Sequence, residues 1–322
     1  MTDALLLANA YNKGWETLMN RRTFGQTVAG AALGAALPGL TLEAAPANAA
    51  PYGISIMLWT VYTGLPFEER LAKVAQAGYT QVELVGEYEH WAPADFDRAN
   101  AARRRLGIRF DATAGMHNGV ANPATRDAFL AELQLALTPM QTLDCPAMIV
   151  LSGNVVQGLT RDAQHQAAIE TLKQAAKLVE GKTIAGQSVR LLLECIHLEE
   201  NPKYFLTSAK EAIEIVRAVN HPQVQFLYDI YHEQMSFGNL IDKLDKHIDL
   251  IGLVHIADVP GRHEPGTGEI HYGNIYRKLA ALGYSHNVAM EFYPTTDPIA
   301  TLRLAMATAL NPGATPNAVT GP

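Results

Sequence analysis

Eight short apolar runs alternate with longer stretches of helical periodicity, and this alternation constrains the fold more than any other feature of the chain. The runs lie at 54–58, 81–85, 108–112, 147–151, 189–195, 224–228, 251–256 and 288–292. The helical stretches lie at 67–77, 96–106, 126–143, 161–180, 208–219, 240–247, 275–282 and 298–310. Several runs are continuously apolar, as parallel strands covered on both faces are. In the fourth helical stretch Ala168, Leu172, Ala175, Ala176 and Val179 recur at helical spacing. Gly78, Gly107 and Gly283 each stand just past a helical stretch, where a left-handed cap favours glycine. Eight strand–helix units in about 250 residues predict a single closed (β/α)8 barrel of the TIM type. The rival is an open doubly wound sheet, but no G-x-G-x-x-G follows the first run. With 48% hydrophobic residues in 322, the chain has enough apolar material for such a core.

The barrel is expected over residues 50–310, preceded by an extension at 1–49 and followed by a Pro-, Gly- and Ala-rich tail at 311–322 that reads as disordered. Within the extension, Arg21-Arg22-Thr23-Phe24 is followed by an uncharged small-residue run at 27–42 and then by Ala47-Asn48-Ala49. A basic segment, an apolar stretch and an A-x-A site have the layout of a secretory signal, and the arginine pair resembles a twin-arginine signal. The apolar run is too short to span a bilayer. Cleavage would start the mature chain near Ala50, in the periplasm or outside the cell, with no stable membrane insertion. Met19 is a second plausible start, with residues 1–18 an over-extended beginning.

In a barrel the chemistry gathers where strands end. Leu191-Leu192-Leu193 closes on Glu194, Phe226-Leu227-Tyr228 on Asp229, Leu253-Val254 on His255, and Val288-Ala289-Met290 on Glu291. One polar residue ending an apolar run is ordinarily an ion pair or a helix cap. Four on the fifth to eighth strands converge on one side of one mouth, where three carboxylates repel unless a cation neutralises them. Two Glu, one Asp and one His suit Mn2+, Mg2+ or Co2+, and without thiolate ligands a structural zinc site fits less well. Glu194 and Glu291 also suit proton transfer at carbon, on either side of an enediolate formed from an α-hydroxycarbonyl substrate. His232, Arg262, His117 and Trp59 are candidate substrate contacts, and Trp91 lies beyond the second strand. Arg262 could clasp a carboxylate or hydroxyl, or pair with Asp258 or Glu264. Glu83, inside the second run, has no assigned role.

The segments Tyr228-Asp229-Ile230-Tyr231-His232, Val254-His255-Ile256-Ala257-Asp258-Val259-Pro260-Gly261-Arg262, Glu264-Pro265-Gly266-Thr267-Gly268-Glu269-Ile270 and Met290-Glu291-Phe292-Tyr293 resemble hydroxypyruvate isomerases and the wider xylose isomerase-like TIM barrel superfamily. The resemblance implies a metal-dependent aldose–ketose rearrangement, hydroxypyruvate to tartronate semialdehyde. It implies Glu194, Asp229, His255 and Glu291 as metal ligands, Glu194 and Glu291 as the acid–base pair, and His232 and Arg262 as substrate contacts. Two positions depart from it. Hydroxypyruvate isomerases typically carry Gln where His255 stands, and His255 is closer to the ketose 3-epimerases. The stretch Cys195-Ile196-His197-Leu198-Glu199-Glu200 also departs from the isomerase pattern.

Three other readings stay open. An exported ketose 3-epimerase or a 3-keto-glycoside lyase would use the same metal and carboxylates on an extracellular sugar. A non-catalytic sugar-binding barrel would keep the fold and lose the turnover. A nucleic-acid enzyme is disfavoured by the net charge of −7 and the lack of a basic run. The expected partner is therefore a small hydroxycarbonyl acid or sugar, with self-association left open. Cys145 and Cys195 are expected as two buried thiols, since Cys195 should point away from Glu194, toward the helices.

Overall fold

The computed structural model describes residues 50–312. Eight parallel strands close into a barrel: β1 Gly53–Met57, β2 Gln81–Val85, β3 Arg109–Ala114, β4 Ala147–Leu151, β5 Arg190–Glu194, β6 Val224–Asp229, β7 Ile251–Ile256 and β8 Asn287–Met290. Each pairs with its neighbours in sequence, and β1 closes on β8 with Ile54 opposite Val288. The helices are α1 Phe67–Gln76, α2 Pro93–Leu106, α3 Arg126–Thr142, α4 Arg161–Val179, α5 Ala209–Val219, α6 Ile230–Ser236, α7 Leu240–His247, α8 Tyr272–Ala281 and α9 Pro298–Leu310. A short hairpin, Thr183–Ile184 with Gln187–Ser188, leads into β5. The export signal expected over 1–49 and the tail from 313 onward lie outside the described residues.

Most expected boundaries stand within a residue or two; α2 and α8 each start three residues earlier than expected, at Pro93 and Tyr272, and three further differences bear on the site. The third strand, expected at 108–112, runs Arg109–Ala114, because its pairing with β2 slips between Val82 and Glu83. The eighth ends at Met290 rather than 292, so Glu291 sits one residue past it. Helix α6 was not expected, since its cap, Asp229, is the very residue that the sequence marks as a ligand.

Two apolar layers hold the barrel. The outer one lies between strands and helices and includes Leu191, Leu193, Phe226, Tyr228, Val254 and Val288. The inner one fills the barrel with Met57, Ala112, Ala147, Ile149, Leu192, Leu227, Leu253 and Ala289. Alternation along a strand then dictates what comes next. Two residues beyond Leu192, Leu227, Leu253 and Ala289, facing the same interior, stand Glu194, Asp229, His255 and Glu291. The inner layer is thus an apolar floor under four polar side chains. Each large floor residue adds about 1.5–3 kcal/mol of burial energy. Cys195 points outward into the helix-side layer, and both cysteines are buried and free.

Candidate metal centre

The four strand-end residues converge. Glu194, Asp229, His255 and Glu291 each bring a ligand atom within 4.8 Å of the others, and none is more than 7% exposed. Register produces this: Asp229 is paired with His255 across β6 and β7, and Glu291 continues the ladder by donating its N–H to Ile256 O at 3.0 Å.

Asp229 has a double role. Its Oδ1 accepts from the backbone N–H groups of Tyr231 at 2.7 Å and His232 at 3.1 Å, capping α6. Its Oδ2 is buried with no hydrogen-bond partner. A buried, orphaned carboxylate oxygen among two more carboxylates and an imidazole is a donor set that fits a divalent cation. His255 is prepared in the same sense. Its Nε2 is held at 2.9 Å by Glu83 Oε2, leaving Nδ1 beside Glu291 Oε2 at 2.8 Å. A carboxylate behind a metal-facing imidazole fixes both its orientation and its tautomer.

In this structure the positive charge facing the carboxylates comes from His255 and Arg262. Nη2 of Arg262 lies 2.7 Å from Glu291 Oε2 and 3.7 Å from Asp229 Oδ2, while Nη1 reaches Glu200 Oε2 at 2.9 Å. The charges separate the carboxyl groups. Burial alone would raise Glu291, but Arg262 and His255 hold it well below the usual carboxylate range. Burial pushes Glu194 well above that range despite His255, with Glu291 and Asp229 adding to the rise. Two carboxyls with pKa values driven apart suit opposite roles in proton transfer. Burial would lower His255, yet Glu83 and Glu291 hold its proton; burial and Arg262 lower His232 well below the ordinary histidine value.

Arg262 is presented by a loop organised around Asp258. That carboxylate accepts from the N–H groups of Val259, Gly266, Gly268 and Ile270 at 2.9–3.0 Å. Gly268 is required there, since a Cβ would collide with the Val259 carbonyl. The sequence offered Asp258 or Glu264 as protein partners for Arg262; the structure pairs it instead with Glu200 and Glu291, with Asp229 close by.

Trp59 joins the centre through Nε1, which donates to Glu291 Oε1 at 2.8 Å, and its ring lies under Arg262 with 5.2 Å from Cζ to centroid. His232 joins too, with Nε2 3.5 Å from Asp229 Oδ2. His117 is not brought in. Its side chain is 67% exposed and paired with Glu132 at 2.9 Å and Glu89 at 3.1 Å, because the chain turns outward after β3. Trp91 likewise packs edge-on against Phe67 and Phe96 among the first helices.

Three supporting residues were given no role in the sequence: Glu83 behind His255, Glu200 behind Arg262, and His197, whose Nδ1 is 2.7 Å from His232 Nδ1. Glu83 left a signal, a charge within an apolar run. His197 and Glu200 left none, because they follow β5 in an irregular segment.

A family model described as "Xylose isomerase-like TIM barrel" matches residues 71–309. A 2-oxo-tetronate isomerase of Pectobacterium atrosepticum is 31% identical over 238 residues, covering 73% of this chain and 89% of its own. A hydroxypyruvate isomerase of Escherichia coli is 28% identical over 245 residues, covering 74% and 92%. Among solved structures, an AP endonuclease of family 2 from Brucella melitensis superposes with a TM-score of 0.71 at 27% identity, covering 80% of this chain and 98% of that one.

Proposed function

The chain belongs to the xylose isomerase-like TIM barrel family, and from that premise we propose that it is a divalent-metal-dependent isomerase of a small α-hydroxycarbonyl compound, hydroxypyruvate to tartronate semialdehyde being the first candidate reaction. The observation that carries this reading is the convergence of Glu194, Asp229, His255 and Glu291 around the orphaned Asp229 Oδ2. The named isomerase relatives support the reaction class.

Glu194, Asp229, His255 and Glu291 would hold Mn2+, Mg2+ or Co2+, and the bound ion would polarise the substrate carbonyl and stabilise the charge that develops when the neighbouring C–H proton leaves. The chain's own groups do the rest. Glu291, ionised beside Arg262, is the one of the pair with a free carboxylate to accept a proton, and Glu194, with its raised pKa, the one that carries a proton to give. Arg262 and His232 offer N–H donors to substrate oxygens, and Trp59 closes one wall. The apolar floor keeps water from reaching the centre from below.

A second reading uses the same residues: a ketose 3-epimerase, favoured by the imidazole of His255 on β7. Both are tested by metal analysis of the purified mature protein, followed by solvent deuterium incorporation into hydroxypyruvate and a panel of ketoses with Mn2+ or Mg2+. Label in hydroxypyruvate with aldehyde product supports the isomerase, and label in ketoses alone moves the substrate to sugars. No metal and no exchange anywhere would refute both and leave a binding barrel.

A further inference from the structure

His232 shows one ring edge to the four carboxylate and imidazole ligands and the other to a second histidine. Its Nε2 lies 3.5 Å from Asp229 Oδ2 and 3.9 Å from Glu194 Oε1. Its Nδ1 lies 2.7 Å from Nδ1 of His197. Both rings are buried. At that separation one nitrogen donates and the other accepts. A bare nitrogen facing the unpartnered Asp229 carboxylate oxygen, the nearer of the two, would set lone pair against lone pair, so His232 Nε2 carries a hydrogen. In the neutral ring His232 Nδ1 is then bare, and the hydrogen between the rings belongs to His197. The last ring nitrogen, His197 Nε2, is buried without a hydrogen-bond partner. A bare acceptor fits that position better than a stranded N–H.

We propose that His197 is a positioning residue: its Nδ1–H donates to His232 and locks His232 in the tautomer that presents Nε2–H to the metal centre, where a substrate carbonyl oxygen would receive it. The last clause rests on the proposed function; the tautomer is a property of the free protein. Edge-on packing of His197 against Tyr231, with ring centroids 5.3 Å apart, keeps the donor aimed.

The same surroundings argue against a cation between the rings. His197, Glu200 and His232 do bring ligand atoms within 4.8 Å. Glu200, however, is already paired with Arg262. A dication there would press against the guanidinium.

The experiment is long-range proton–nitrogen correlation NMR of the metal-free protein, labelled with 15N in its histidine rings, at a pH above the ordinary histidine pKa. In the unaltered protein His232 is expected to show a protonated Nε2 and a bare Nδ1, and His197 the reverse. His197→Asn places an amide donor near the lost Nδ1, so it should keep the His232 signature and most of the turnover. His197→Phe keeps the ring volume without the donor. It should mix the His232 tautomers and lower kcat about tenfold with little change in KM, the scale of one lost hydrogen bond.

A protonated Nδ1 on His232 in the unaltered protein overturns the proposal, and so does an unchanged His232 signature in His197→Phe. Two metal equivalents per chain, falling to one in His197→Asn, would also overturn it in favour of a second ion. Should His197→Phe fail to fold, the unaltered protein and His197→Asn still decide. The expected tautomers in a protein that turns over no hydroxycarbonyl compound would uphold the positioning role while sinking the proposed function.

Discussion

Glu83 Oε2 on the second strand accepts a hydrogen bond from Nε2 of His255 on the seventh at 2.9 Å, inside the barrel and with neither side chain reaching solvent. The pair lies beneath the candidate metal centre. Its other carboxylate oxygen, Glu83 Oε1, has no partner, so Glu83 is committed to the imidazole. Glu83→Gln should keep the fold but weaken divalent-metal binding by about 10–100-fold, as losses behind a metal-facing histidine do. Titration of the metal-free protein with Mn2+ checks this; equal affinity in the two proteins would remove the role.

Glu291→Gln and Glu194→Gln each remove one end of the proposed proton transfer. Turnover should fall by about 10²–10⁴-fold, the usual worth of a positioned acid or base. Thermal stability should change far less. Solvent deuterium incorporation is the readout. A Glu291→Gln protein that retained full exchange would move the base elsewhere.

Asp111, which is not one of the candidate ligands, gives the stability a pH dependence of its own. It faces the barrel interior near the foot of the strands, accepting from Ser55 Oγ at 2.7 Å and Asn287 Nδ2 at 2.5 Å. Burial, and then the charge of Glu83, pushes its carboxyl up to about 7 from 3.8. A carboxyl raised in the folded state binds its proton more tightly than in the unfolded chain. Its contribution is therefore complete below 3.8 and is lost as the pH climbs through about 7. Asp111→Asn should flatten that part of the profile. Urea unfolding of both proteins across this window measures it, and parallel profiles would refute the assignment.

Leu192 lies in the apolar floor two residues before Glu194 and is fully buried. Leu192→Ala should cost about 2–5 kcal/mol of stability, the range for emptying a packed leucine site. It should also loosen the support of Glu194. Denaturant unfolding gives the first quantity, and metal affinity reports the second. A loss well below that range would mean that the floor can collapse around the gap.

We propose further that the chain is exported and cleaved near Ala50, on the strength of the Arg21-Arg22 pair, the small-residue run and Ala47-Asn48-Ala49. Replacing both arginines by lysine should retain the full-length form in the cytoplasm, and mass spectrometry of the mature protein should place its first residue near 50. Full-length protein recovered only from the cytosol would end this proposal.

The barrel was legible because its signals are local. Apolar runs, glycine stops and helical spacing each report on a few adjacent residues, and eight repetitions leave little freedom in the topology. The convergence of the four candidate ligands was legible for the same reason, each being a polar residue that closes an apolar run. Legibility ended where contacts depend on distant chain segments. His117 follows a strand much as His232 does, yet the turn after β3 sends it outward to Glu89 and Glu132. Helix α6 was hidden because its cap, Asp229, carries the ligand signal as well.

The sequence by itself determined the fold and one face of each strand, since period-2 alternation fixes Glu194, Asp229, His255 and Glu291 on the side of Leu192, Leu227, Leu253 and Ala289. Only closure of the barrel decided which groups stand behind them. Glu83 meets His255 across 172 residues of chain and Trp59 meets Glu291 across 232. No local pattern encodes those separations, because the partners are set by register, bulge and curvature summed around the whole ring.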